Sequence, residues 1–449
     1  MRTLRLLQIV KMLNLKQNVP DLQVNGYCVD SRNIQRGQLF FALKGAHLDG
    51  HDFIDAVHQK GACAAVVCDS YSQTHGDFTL IRVADPLQAL QHLASSVLQM
   101  SNSRIVAITG SVGKTTIKEF VRTLLATSYS VAASPGNSNS QIGLPLSILN
   151  HTSGTEEIII LEMGMTESGQ ISKLTEIAPP EVGILSSVEL VHACNFNTLE
   201  EIAYSKAEIF QHPKTKLGII NRDIPCYNEI VHATSSQKRS FSLTNSNADY
   251  TADPLNPFAL LSNLDKQTLN IQAFKLPGKH NRHNLLAAIA VARYFNISWE
   301  KIEHQIAALQ LPEMRLEEQI YNGVIFINDS YNASEISVKA ALECLPEPKN
   351  GGKKIVVLGS MMELGKFSDE CHRRIGEYAL NLVDECYCFG KECQPIFDIW
   401  KREERPVSLY EDFSFLIEDL KKRVMPNDIV LVKGSRSKKM WSIIDAFKD

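Results

Sequence analysis

Short runs of consecutive apolar residues alternate along this chain with longer stretches in which apolar positions return at helical spacing. Residues 38–43 and 64–68 read as buried strands, and residues 53–60 and 86–99 as the helices beside them. From residue 104 onward, apolar runs at 104–108, 158–161, 182–185 and 217–220 alternate with helical segments, the pattern of a parallel sheet with crossover helices. Residues 238–273 are less regular and read as a small antiparallel appendage. Beyond Leu311-Pro312, further buried strands at 324–327, 354–358, 385–389 and 429–432 are again separated by helices. Polar Ser101-Asn102-Ser103 reads as a linker. The expectation is an α/β chain of three domains: 1–102, 103–311 and 312–449.

Composition narrows the class of partner. The 449 residues are 44% hydrophobic and 21% charged, with a formal net charge of −4, so no basic surplus draws the chain to nucleic acid or an anionic membrane. The first residues, MRTLRLLQIVKMLNL, carry Arg2, Arg5 and Lys11 among their apolar positions and read as an amphipathic helix with no cleavage site after it. No apolar run approaches the roughly 20 residues that span a bilayer. The ten cysteines are scattered without a paired CxxC spacing, which points to reduced thiols and a cytoplasmic protein.

The chemistry begins at residues 107–116, Ala-Ile-Thr-Gly-Ser-Val-Gly-Lys-Thr-Thr, where an apolar strand runs through a glycine turn into a helix. Glycines let backbone N–H groups close on phosphate oxygens, the helix N-terminus contributes its dipole, and a lysine reaches the terminal phosphates. Thr109, Gly110, Ser111, Gly113, Lys114, Thr115 and Thr116 are therefore candidate ATP ligands, with the Thr115 hydroxyl directed to Mg²⁺. Only Ser111 and Val112 separate Gly110 from Gly113, so the loop is two residues shorter than the usual form.

Glu162 ends the apolar run 158–161 and is placed to hold the same hard cation through oxygen. Lys206 falls on the apolar face of a helix opened by Thr198 and Glu201, a capping box. A lysine facing a core is disfavoured unless paired, deprotonated or modified, and a neutral amine can capture CO₂ as a metal-binding carbamate. The competing reading is a packed stem with a solvated head. His192 follows the strand ending near Ser186 and by itself is an ordinary histidine. His280 and Asn281 stand at a helix entrance, where they could read a nucleobase edge or serve as caps. Arg315 is a candidate phosphate clamp and Asp329 a candidate acceptor for ribose hydroxyls.

Other segments carry a resemblance. They are Asp30-Ser31-Arg32 with Gly37 to Gly45 and Asp49 to Phe53; Pro135 to Asn139 with Ile142 to Pro145; Leu161 to Gly164; Ala203 to Lys206; Tyr331-Asn332-Ala333; Glu363-Leu-Gly365; and Lys433 to Arg436. In this order, together with the phosphate loop, they resemble the Mur ligase family over nearly the whole chain, and most closely its dipeptide-adding branch. The Asp-Asn-Pro-Arg of the diaminopimelate-adding branch is absent. The chain departs from the family pattern at Thr166, Glu167, Gln170, Asn328, Ser334, Glu335 and Ser360.

The resemblance implies a small N-terminal uridine-nucleotide-binding α/β domain, a central P-loop ATPase-type sheet and a C-terminal Rossmann-like domain. It implies an ATP-dependent ligase that joins D-alanyl-D-alanine to UDP-N-acetylmuramoyl-tripeptide through an acyl phosphate, acting as a monomer. Lys114, Glu162, His192 and Lys206 would be catalytic, the last three with Thr115 holding Mg²⁺ and Lys206 carbamylated. His280, Asn281, Arg315 and Asp329 would seat ATP beside the loop, and Ser31, Arg32, Asn137, Asn139, Tyr331, Asn332, Lys433 and Arg436 would hold substrate. Two other readings are a folylpolyglutamate synthase-like ligase and a protein that uses ATP only as a conformational switch.

Overall fold

The structure, a computed structural model, describes residues 3–190 and 195–448. Near the N-terminus the helix Leu6–Met12 buries Leu6, Ile9 and Val10, and a four-stranded parallel sheet follows in the order Tyr27–Cys28, Leu39–Phe41, Ala64–Cys68, Leu80–Val83. The helix Pro86–Gln99 starts where its pattern predicts, because the Asp85 carboxylate accepts from the backbone N–H groups of Leu87 and Gln88 and Pro86 supplies a preset first turn. It packs against the helix Gly143–His151 of the central layer, where Asn150 pairs through its side-chain amide with both backbone groups of Tyr27 at 3.0 Å. The first sheet's edge strand is thereby tied to the central layer.

The central sheet has nine strands, and the phosphate-loop strand Arg104–Thr109 lies between Val182–Leu185 and Ile158–Glu162, parallel to both. Alternation along it feeds two cores. Ile105 and Ala107 join the core that reaches the N-terminal layer, while Val106 and Ile108 face the helices Lys114–Leu125 and Lys279–Tyr294. A sheet buried on both faces leaves its strand ends as the only polar openings, and Thr109 and Glu162 sit there.

The expected antiparallel appendage is corrected by the observed pairing. Gln237–Ser242 and Tyr250–Ala252 extend the central sheet in parallel, and only Ala259–Ser262 and Gln267–Asn270 add antiparallel strands at its edge. The buried Phe241 draws Gln237–Ser242 into the main core, whereas strand direction is set by the crossover and leaves no local mark on the sequence.

The last sheet has six strands in the order Glu317–Tyr321, Val324–Asn328, Ile429–Lys433, Lys354–Gly359, Glu385–Phe389, Val407–Tyr410. Only the first pair is antiparallel. Its carboxyl ends carry Asp329, Ser360 and Gly434 and face the central domain's polar strand ends across a cleft.

Candidate active site

The glycine turn after Thr109 is held from below. Ser111 N–H donates to the Ser187 carbonyl at 2.9 Å, Val112 N–H to Ser187 Oγ at 2.9 Å, and Ser111 Oγ bridges both backbone groups of Glu189. Gly110 has φ +147° and Gly113 φ +86°; a Cβ on Gly110 would stand 1.9 Å from Ser186 Oγ, and one on Gly113 2.6 Å from Asn284 Oδ1. A side chain at either position would be strained, and on Gly110 it would also meet the backbone N–H of Ser187 at 3.0 Å. The first helical bond runs from Ile117 N–H to the Gly113 carbonyl, so the amides of Lys114, Thr115 and Thr116 have no acceptor within the helix and point along its dipole. Lys114 folds back so that its ammonium donates to the Gly110 and Ser111 carbonyls, and burial pulls its pKa down to about 8.

Glu162 is fully buried, and neither carboxylate oxygen accepts a hydrogen bond among the described residues. Its nearest cation is Lys118, whose Nζ stands 3.3 Å from Oε1. An unsatisfied buried carboxylate costs several kcal/mol, by order of magnitude. Glu162 stands in the wall of a cavity of about 310 Å³ that Thr115 also lines. Hard oxygen donors of this kind fit a magnesium ion. Lys206, 2% exposed on the helix Leu199–Ala207, forms no ion pair among the described residues, and burial together with the nearby Lys114 charge holds its pKa well below the usual lysine range. A neutral amine of this kind is chemically competent to take up CO₂. His192 lies outside the described residues.

On the other side of Gly113 opens a second cavity of about 460 Å³. Thr116, His280 and Asn281 line it from the central domain, and Arg315, Asp329 and Lys433 from the C-terminal one. Asn281 is fixed by donating from Nδ2 to the Pro277 carbonyl at 2.6 Å, and burial lowers the His280 pKa. Arg315 lines both cavities, with its guanidinium 4.4 Å from the centre of the Tyr331 ring and no acceptor on Nε among the described residues. It is bracketed by two left-handed non-glycine residues, Met314 (φ +55°) and Leu316 (φ +48°), a strained turn held by the Glu317 and Asp329 carboxylates, which accept from the N–H groups of Met314 and Leu316. Across the first cavity Arg436 lies 4.9 Å from the Tyr331 ring and donates to Asn137 Oδ1 at 3.1 Å, joining the two domains directly.

Three family models match the chain in succession: "Mur ligase family, catalytic domain" over 23–97, "Mur ligase middle domain" over 108–292 and "Mur ligase, glutamate ligase domain" over 314–436. The UDP-N-acetylmuramoyl-tripeptide–D-alanyl-D-alanine ligase of Bacillus subtilis is 33% identical, covering 94% of this chain and 92% of its own. This chain belongs to the Mur ligase family. The enzyme of the same name from Escherichia coli is 30% identical, covering 100% of this chain and 99% of its own. Among solved structures, the MurF ligase of Thermotoga maritima in complex with ADP aligns with a TM-score of 0.78 at 30% identity, over 94% of this chain and 97% of that one. MurF from Acinetobacter baumannii aligns with a TM-score of 0.85 at 25% identity, over 99% of both. A Mycobacterium tuberculosis folylpolyglutamate synthase shares the fold at 14% identity with a TM-score of 0.62, over 81% of this chain and 94% of that one.

Within this Mur ligase the expected residues divide by place. The first cavity gathers Ser111, Gly113, Lys114 and Thr115 with Glu162 and Arg315, and Asn137, Asn139, Tyr331, Asn332 and Arg436 line its remaining walls. Lys433, grouped above with the substrate ligands, stands instead in the second cavity. There its Nζ pairs with Asp329 Oδ2 at 2.5 Å and donates to the Asn332 carbonyl at 2.9 Å. Thr109 and Gly110 support the loop without lining either cavity. Ser31 and Arg32 lie in the first domain and line neither cavity; Arg32 is exposed and paired to Asp30 at 2.7 Å, which holds the Asp30 carboxyl low, at about 2.

The departures from the family pattern at Thr166, Gln170, Asn328, Glu335 and Ser360 have local partners, while the buried Ser334 Oγ has none among the described residues. Gln170 Oε1 accepts from Thr166 N–H at 2.8 Å, Asn328 Oδ1 from Ser330 Oγ at 2.6 Å, and Glu335 is paired at 2.7 Å with both Lys339 and Arg374. Ser360 donates to Glu392 at 2.6 Å, so a carboxylate from the next strand's end stands beside it. Sequence reasoning missed Lys118 and Glu189. A lysine four residues after Lys114 reads as part of a solvated helix face, and only the flanking apolar Ile117, Phe120, Val121, Leu124 and Leu125 hint that this helix is enclosed.

Proposed function

We propose that this chain is an ATP-dependent amide ligase that joins D-alanyl-D-alanine to the peptide carboxylate of UDP-N-acetylmuramoyl-tripeptide. The observation that carries this reading is the pair of cavities meeting at Gly113 and Arg315, with the Glu162 carboxylate, which accepts no hydrogen bond among the described residues, in the wall of the smaller one. Such an arrangement suits a nucleoside in the larger cavity, its phosphates over the helix N-terminus, and a reacting carboxylate in the smaller one. The full-length likeness to ligases of that name supports the choice of substrates.

A carboxylate resists amine attack because oxide is a poor leaving group, so it must first become an acyl phosphate. The peptide carboxylate oxygen attacks the γ-phosphorus of ATP, the bond to the β,γ-bridging oxygen breaks, and ADP leaves. The neutral amine of D-alanyl-D-alanine then attacks the acyl carbon, expels orthophosphate and loses a proton. Thr115, Glu162, His192 and carbamylated Lys206 would hold magnesium, which supplies charge neutralisation at the phosphates. Lys114 is the mobile cation: it leaves the Gly110 and Ser111 carbonyls to follow the transferring phosphoryl oxygens. Arg315 and Arg436, both over the Tyr331 ring, bring positive charge from the C-terminal domain when the cleft closes and excludes water from the acyl phosphate. We assign the uridine end of the substrate to the first domain through Ser31 and Arg32, with domains at 1–102, 103–311 and 312–449.

Incubation with ATP, Mg²⁺ and either the uridine-linked peptide plus dipeptide or a folate plus glutamate discriminates the readings. Amide formation on the uridine-linked peptide alone is expected; product from the folate alone would reverse the assignment, and ATP binding without any product would support the switch.

A further inference from the structure

The helix Lys114–Leu125 carries a second lysine that the phosphate-loop chemistry leaves unused. Lys118 is fully buried, and its ammonium donates to the carbonyls of Ser134 at 2.6 Å and Gly136 at 2.9 Å. It also stands 3.3 Å from Glu162 and 3.4 Å from Glu119. The two carbonyls belong to the turn after the edge strand Val131–Ala133, and that turn leads directly to the acceptor-side wall of the first cavity. Asn137 in it receives Arg436 from the C-terminal domain. Asn139 in it closes on Gly164, whose N–H donates to the Asn139 carbonyl at 2.7 Å and whose Cβ position lies 2.8 Å from Asn139 Oδ1.

A buried ammonium is costly unless its three protons are used. Here two are spent on backbone carbonyls of one loop, and the charge faces the Glu162 carboxylate in the wall of the first cavity. We propose that Lys118 is a positioning residue that ties the phosphate helix to residues 134–139, so that the helix holding ATP also sets the loop that meets the C-terminal domain. Its effect on the reaction rests on the ligase reading above; its effect on the loop does not.

The test uses the full-length chain and Lys118→Met, which keeps the stem and removes the donors. Three readings are taken: ADP affinity by calorimetry, hydrogen exchange of the peptide covering residues 134–139 in the ADP-loaded protein, and the kinetics of amide formation. ADP affinity is expected to stay within about threefold, while exchange of that peptide accelerates about tenfold or more. The kcat/KM for the dipeptide should fall by about a hundredfold, with the KM for ATP nearly unchanged. Lys118→Arg, which retains donors for both carbonyls, should restore much of the protection. Unchanged exchange at 134–139, or loss of ADP binding together with everything else, would overturn the proposal. Should Lys118→Met not fold, Lys118→Leu, which also lacks donors, is read in its place by the same criteria. Failure of wild-type protein to form the amide would defeat the ligase reading and leave the exchange result standing as the test of the tether.

Discussion

At the scale of single residues the site is defined by groups lacking what their surroundings should supply. Lys114 satisfies itself on the carbonyls of its own loop, and among the described residues Glu162 accepts no hydrogen bond and Lys206 is enclosed without an ion-pair partner. Each is a poor solution for a resting fold and a good one for a triphosphate and its cation. Replacing Lys114 by Ala should reduce ATP-dependent amide formation by about 10³-fold or more, measured as kcat, because a preorganised charge on the transferring phosphoryl group is lost. The Lys206→Ala variant should likewise be impaired and regain activity when acetate or another small carboxylic acid is added; full activity without the additive would show that the lysine is only packed.

Lys206 was legible from its place on an apolar helix face. Lys118 was not, since sequence spacing says which residues share a face and not whether a neighbouring loop covers it. Lys433 shows the same gap: its motif marked it as functional, but only the fold reveals that Asp329 is its partner.

Among the elements, the phosphate loop depends on backbone conformation more than on side chains. Gly113 is left-handed and lies against Asn284, so Gly113→Ala adds both backbone strain and a clash. Calorimetry should show an ADP affinity at least about tenfold weaker in this variant, with unfolding free energy lower by about 1–2 kcal/mol. Gly169, with a similar φ of +81° and open space around it, provides the control: Gly169→Ala should show the stability loss alone, with ADP affinity unchanged. The long apolar runs, such as Val182–Leu185 and Glu385–Phe389, were legible because both faces of each strand are buried. The edge strands Val131–Ala133 and Val407–Tyr410 are short and only half-buried, and their sequences carry no comparable run.

Across the whole molecule, three domains share one reaction only if the cleft between two of them closes on the nucleotide, and part of that cleft is sensitive to acid. His283, packed 4.7 Å from Phe241 in the second cavity's wall, has its pKa lowered to about 4, chiefly by burial, with the neighbouring Asp223 opposing. Unfolded, a histidine takes a proton near pH 6.5. The unfolded chain therefore binds a proton that the native site refuses: stability from this group is whole above pH 6.5 and declines toward pH 4, by at most about 1.4 kcal/mol per unit. Denaturant unfolding of wild type and His283→Gln at pH 7 and pH 5 checks this, and the variant should lose less stability than wild type over that interval. An equal loss in both would place the acid sensitivity elsewhere.

The most direct measurement of the central claim follows both products of one turnover. The purified chain is given ATP, Mg²⁺, D-alanyl-D-alanine and UDP-N-acetylmuramoyl-tripeptides differing at the third residue, with nucleotide masses and orthophosphate read together. The account predicts a pentapeptide nucleotide from at least one of them, with one orthophosphate released per amide formed and none from the Lys114→Ala protein. Phosphate released without the amide, or no reaction with any of the tripeptides, would contradict it.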